Sequence, residues 1–203
     1  MESTEAQIDE EIAYLLRAAQ KRFRYERARL IGTAAYFAVK AHEGQKRKTG
    51  EPYVLHPIRI AKQLIEREDS RIDVSTICAA LLHDVLEDTE VSADKIGAQF
   101  GRDVLSLVQS LTKKPSDKPR SEQDQEYFEQ LRRYEKTDPR TGIIKVFDVY
   151  DNAQTIEVHS KERQEQRANN ILTFYAPLAK RLEIEDIEEQ LITIAKQYTD
   201  PVN

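Results

Sequence analysis

Apolar residues recur at intervals of three and four along nearly the whole chain, and alternating runs rich in β-branched residues are almost absent. No other feature narrows the fold as much, because a 3.6-residue period buries one face of a helix and cannot keep one face of a strand inside. By that criterion, helices are expected over 7–43 in two pieces, 56–67, 73–87, 92–99, 101–113, 121–136, 139–157, 162–182 and 184–199. The 203 residues suffice for one continuous core. A content of 39% hydrophobic and 33% charged residues, with six Gly and seven Pro, suits a helical bundle rather than a disordered chain. The expected fold class is all-α, a single helical bundle.

Two stretches interrupt the periodicity. "RKTGEPYVLHP", with Gly50, Pro52 and Pro57, reads as an irregular functional loop. "KKPSDKP" reads as a mobile connector before the charged helix "SEQDQEYFEQLRRYEK", whose sparse apolar stripe leaves it free to cover a site or meet a partner. No repeat or low-complexity segment is present.

Formal net charge is −5 with both signs interspersed, which disfavours long nucleic acid as a ligand but leaves room for a small anion in a local pocket. The lone Cys78 lies in an apolar run, so a reducing compartment is expected. The N-terminus is acidic where a signal peptide is basic, and no run approaches the ~18 apolar residues of a membrane span. A cytoplasmic protein without membrane contact is expected.

The stretch "AALLHDVLEDTE" carries the chemistry. On a continuous helix, with His83 at zero, Glu87, Asp84 and Asp88 fall at about 40°, 100° and 140°, opposite an apolar arc of Leu81, Leu82, Val85, Leu86 and Cys78. Carboxylates at a helix C-terminus oppose the macrodipole, and a bound divalent cation would compensate. Adjacent residues cannot complete a coordination shell, so other segments must contribute. His56, set at a turn by Pro57, is one candidate, although it could simply cap the next helix. Asp148 is another, an acid in an apolar helix that needs a partner, which could equally be Lys or Arg. His159 sits among charged residues and reads as solvated.

Three segments in order, "AHEGQKRKTGEPYVLHP", "AALLHDVLEDTEVSADKIGAQFG" and "KVFDVYDNAQTI", resemble the HD-domain hydrolases of the RelA/SpoT family, and "FYAPLAKRLEIEDIEEQL" continues the likeness. The resemblance implies an all-α HD bundle over 30–200 preceded by a helical extension over 1–29. It implies a manganese ion held by His56, His83, Asp84 and Asp148, with Glu87 and Asp88 activating water and moving its proton. It also implies a substrate role for Arg47 and Lys48 against base and phosphates, Asn152 and Thr155 beside the nucleoside, and Tyr53 in the pocket wall. On composition alone, these five would pass as solvated or structural residues. The implied reaction removes the 3′-pyrophosphate of ppGpp or pppGpp. A chain ending at Asn203 leaves no room for the synthetase and regulatory domains of the long enzymes, so a stand-alone small alarmone hydrolase is expected.

One segment departs from the pattern. The long enzymes read Asp-Arg-Leu-His-Asn where this chain reads "DVYDN", so Val149 and Asp151 replace a cation and a histidine. Surroundings less cationic than theirs are expected, with Asp151 adding negative charge near an anionic substrate. An adenine alarmone or another 3′-phosphorylated nucleotide, a non-catalytic alarmone-binding domain, and a metal-dependent nuclease or phosphodiesterase stay open as alternatives. The sequence carries no signal for oligomeric state.

Overall fold

A computed structural model describes residues 4–114 and 116–199. Residue 115, inside the expected mobile connector, and the chain ends, including residue 200 of the expected 30–200 domain, lie outside the described residues. Among those described, helices follow one another and no strand forms, which is the all-α class expected from the period. They are α1 (Thr4–Arg22), α2 (Tyr25–Ala41), α3 (Leu55–Ile65), α4 (Val74–Leu82), α5 (Val85–Asp88), α6 (Ala93–Leu111), α7 (Arg120–Thr137), α8 (Pro139–Ala153), α9 (Lys161–Asn170), α10 (Ala176–Arg181) and α11 (Glu185–Thr199). Among the described residues, no helix is long and apolar enough to cross a membrane.

α4 is the centre of the bundle. Asp73 opens it through a capping box with Thr76, and Val74 and Thr76–Leu82 are buried, Cys78 among them. A helix buried on all sides must be enclosed by neighbours, and α2, α3, α6 and α8 pack around it. α1 belongs to the same core, with Ile12, Leu15 and Ala19 fully buried. Its last residue, Arg22, donates to the carbonyls of Leu64, Ile65, Arg67, Asp69 and Ile72, so one guanidinium satisfies the chain leaving α3.

Two boundaries differ from expectation, and a third break falls where the sequence puts it. The expected helix 73–87 breaks at His83–Asp84, where the His83 ring donates to the Ala80 carbonyl at 2.8 Å and satisfies the end of α4. Glu87 and Asp88 therefore sit in a separate turn, and the ideal angles of a continuous helix do not apply. α8 ends at Ala153, short of 157, and a 3₁₀ turn (Ile156–Val158) follows. Gly101, at φ 88°, kinks α6 where the sequence separates 92–99 from 101–113.

Candidate functional site

The loop between α2 and α3 is built by its turn residues. Gly50, at φ 89°, allows the bond from its N–H to the Arg47 carbonyl, while Lys46 and Pro52 pair as a short bridge and the Tyr53 N–H donates to Gln45. The chain then enters α3 with His56 and Pro57 in its first turn, where the missing N–H of proline costs nothing. In this way the loop delivers Arg47, Tyr53 and His56 to the point where α4 ends.

Four expected ligands meet there. One ligand atom from each of His56, His83 and Asp84 lies within 4.8 Å of the others, with His56 Nε2 at 3.9 Å from Asp84 Oδ2. Asp148 Oδ1, from the middle of α8, is 3.0 Å from His56 Nε2 and 3.6 Å from His83 Nε2, and Asp84 Oδ2 is 3.1 Å from His83 Nε2. Asp148 does not choose between the two roles open to it. Its Oδ2 accepts from Lys145 at 2.6 Å, three residues earlier on the same helix, while Oδ1 faces the imidazoles and accepts from Asn152 at 2.7 Å.

A divalent cation fits this donor set. His83 Nε2 is buried with no partner in hydrogen-bonding geometry, and the far nitrogen of each ring is committed elsewhere. Nδ1 of His83 is held by the Ala80 carbonyl and Nδ1 of His56 by Asp151 Oδ2 at 2.7 Å, the arrangement that orients metal-ligating histidines. Protons take the cation's part in the bare site. Burial disfavours the charged imidazole of His83, yet the carboxylates of Asp84 and Asp148 outweigh it and hold its pKa well above the ordinary value. His56 is raised in the same way by Asp148 and Asp151, against burial. Burial opposes the charge of Asp84 and Asp148 too, but His83 for the first and Lys145 for the second hold both carboxyls below the usual range.

Glu87 and Asp88 line the rim on α5, both exposed. Partial desolvation, reinforced by the charge of Asp84, pushes both carboxyls above their ordinary values. Glu87 accepts from the Lys113 backbone N–H. Tyr53 does more than line a wall. Its hydroxyl lies 2.6 Å from Asp84 Oδ2 and 3.0 Å from Asp88 Oδ2, joining a candidate ligand to a candidate proton carrier.

Arg47 is 10% exposed and donates to Asp151 and Asn152, each at 2.7 Å. Lys48 is exposed, 3.1 Å from His159 Nδ1. His159 is half-buried, and desolvation with the charges of Arg167 and Lys48 brings it down to about 4, so it accepts as a neutral ring. Asn152 and Thr155, both expected beside the nucleoside, do not share one wall. Asn152 lines a cavity with Asp148, whereas Thr155, beyond the end of α8, borders a separate groove with Glu51, Arg59 and Asp151.

That cavity, of about 150 Å³, holds what sequence reasoning missed. Lys113, Arg120, Lys145, Arg163 and Arg167 converge on it beside Asp148 and Val149. Desolvation and the neighbouring Lys145 lower the Lys113 pKa, and burial, aided by the Arg120 charge, lowers that of Arg167, whose Nε is buried without a partner. Cations from four helical regions therefore line the wall beside Val149. The negative charge that Asp151 is expected to add near the substrate is paired with Arg47, Arg59 and His56. The charged helix α7 helps to form this wall, with Arg120 in the lining and Asp124 accepting from Asn170 at 2.9 Å.

Comparison with known proteins gives a consistent result. A family model described as HD domain matches residues 34–185. The chain is 40% identical over 176 residues to the guanosine-3′,5′-bis(diphosphate) 3′-pyrophosphohydrolase of Aquifex aeolicus (strain VF5), covering 87% of this chain and 25% of that protein. It is 39% identical over 153 residues to the protein of the same name from Vibrio cholerae serotype O1, covering 74% and 21%. The chain thus spans about a quarter of the length of these curated relatives. The solved structure of a metazoan ortholog of SpoT, which hydrolyzes ppGpp and plays a role in starvation responses, matches with a TM-score of 0.66 at 28% identity, over 83% of this chain and 94% of that one.

Proposed function

The chain belongs to the HD-domain family, and from that premise we propose that it hydrolyses the 3′-pyrophosphate of guanosine alarmones, converting ppGpp or pppGpp to GDP or GTP and pyrophosphate. The observation that carries this reading is the juxtaposition of a cation-competent His-His-Asp cluster, with Asp148 against both imidazoles, and a cavity of five cations on the far side of Asp148. A hydrolase for a compact polyanion needs both. The named activity of the relatives and of the solved neighbour points to the same substrate class.

His56, His83, Asp84 and Asp148 would hold the cation, and nitrogen and oxygen donors of this kind suit manganese. When bound, such a cation lowers the pKa of a coordinated water toward ~7 and offsets the carboxylate charge. Glu87 and Asp88, with their raised carboxyl pKa values, orient the attacking water and move its proton toward the departing 3′-oxygen. Tyr53 fixes Asp88 relative to Asp84. Lys113, Arg120, Arg163 and Arg167 bind phosphate oxygens, each as a charge-assisted donor. Arg47 and Lys48 take the base side and Asn152 borders the nucleoside, whereas Thr155, in the separate groove, has no part in this arrangement.

The test is turnover of a panel of ppGpp, pppGpp and ppApp by the purified chain with manganese, following pyrophosphate and the nucleotide product by ion-exchange chromatography. Pyrophosphate and GDP from ppGpp, absent with Asp84→Ala, are expected. Manganese binding without cleavage of any guanosine alarmone would sink the proposal.

A further inference from the structure

Asp151 is an aspartate in the last turn of a mostly apolar helix, 4% exposed, and its surroundings give it more partners than a structural ion pair requires. Oδ2 accepts from His56 Nδ1 at 2.7 Å and from Arg47 at 2.7 Å, and lies 3.0 Å from Arg59 Nη2. Oδ1 accepts from Arg59 Nε at 2.6 Å. Arg59 is in turn held by both oxygens of Glu51, at 2.9 and 3.0 Å, from the glycine-containing loop. One carboxylate thus joins the α3 histidine, the loop arginine and a second arginine on α3.

These contacts have a direction. An ionised carboxylate only accepts, so His56 Nδ1 carries a hydrogen toward Asp151, and Nε2, which donates to Asp148 Oδ1 at 3.0 Å and lies 3.9 Å from Asp84 Oδ2, is the ring atom whose hydrogen a cation would displace. Meanwhile Arg47, held by Asp151 and Asn152, has its guanidinium plane fixed before any ligand arrives. We infer that Asp151 is a positioning residue that couples the cation site to the base-side loop, holding the His56 ring in its ligating orientation and the Arg47 guanidinium in place. Whereas the sequence pattern makes Asp151 an intrusion of negative charge, the geometry makes it the carboxylate of a carboxylate–histidine–cation relay. The inference rests on the cation site of the proposed function, but not on the identity of the substrate.

Asp151→Asn keeps the shape of the side chain and removes its charge. Calorimetric titration of manganese into the full chain, without nucleotide, should show affinity weakened about 10- to 100-fold, the usual consequence of losing the partner of a metal-ligating histidine. With a cleavable nucleotide at saturating manganese, the same variant should raise KM through a loosened Arg47 more than it lowers kcat. Wild-type manganese affinity in a folded Asp151→Asn chain would overturn the inference, because a merely structural aspartate would lower the melting temperature and leave binding alone. Should the variant not fold, the wild-type chain decides. Loaded with diamagnetic zinc, its long-range ¹⁵N–¹H spectrum should show His56 protonated at Nδ1, and protonation at Nε2 would overturn the assignment. Since the titration contains no nucleotide, loss of the hydrolase reading would leave this result intact.

Discussion

Asp148 shows how far single residues can be read from sequence. An acid in an apolar helix had to have a partner, and the candidates were a cation outside the protein or a basic side chain within it. The structure supplies Lys145 on one oxygen and both imidazoles on the other. The ligand candidates were legible because each breaks a local rule, an unusual residue on an apolar face or beside a turn. Four of the cavity's cations, Lys113, Arg120, Arg163 and Arg167, were not legible, because each stands in a charged or loop segment where a solvated side chain is the ordinary outcome. Only Lys145, one turn before Asp148, carried a local signal. A prediction follows for Arg167, whose Nε lacks a partner and whose charge burial disfavours. Arg167→Met should raise KM for the alarmone about tenfold or more, the value of roughly one to two charge-assisted hydrogen bonds, with manganese affinity unchanged. Steady-state kinetics beside a manganese titration would check both halves.

Elements were legible where a break is written in backbone chemistry and obscure where it is written in a side chain. Gly101 separates two periodic stretches, and its φ of 88° is the conformation that glycine alone adopts without strain. Nothing lies within 4 Å of where a Cβ would stand, so Gly101→Ala tests conformational strain without a clash. It should cost about 1–3 kcal/mol of stability, read as a lower urea midpoint at constant m. At His83, by contrast, the apolar period runs on through Val85 and Leu86, and only the ring bonding back to Ala80 ends the helix. No period could reveal that. The join between α1 and α3 is of the same kind. Arg22→Met would leave the carbonyls of Ile65, Arg67 and Ile72 without this donor, while those of Leu64 and Asp69 keep a backbone N–H, and a loss of at least about 2 kcal/mol is expected from the same urea titration, since each unsatisfied buried acceptor costs ~1–3 kcal/mol.

At the scale of the whole molecule, the bundle holds its chemical groups at one end of a fully buried helix, so the charge state of the site and the stability of the fold are linked. Without a cation, His56 and His83 have raised pKa values, so between the unfolded value near 6.5 and the folded values the native state binds more protons than the unfolded chain. That contribution is complete below the unfolded value and is lost as pH rises through the folded ones. The carboxyls of Asp84 and Asp148 run the opposite way, stabilising above the unfolded value near 3.9 and losing this as pH falls through their depressed values. The metal-free chain should therefore be most stable in mild acid. Manganese needs the imidazoles neutral, so its affinity should rise with pH and its binding should release protons. At a free concentration of 100 times Kd, binding contributes about 2.7 kcal/mol, a melting-temperature gain of roughly 5–10 °C for a domain of this size. At one fixed manganese concentration, the gain measured by thermal scans should be large at pH 8, shrink toward pH 5, and vanish with Asp84→Ala. A gain that is independent of pH would place the ion on surface carboxylates, because only a site containing imidazoles makes protons compete with the metal across that range.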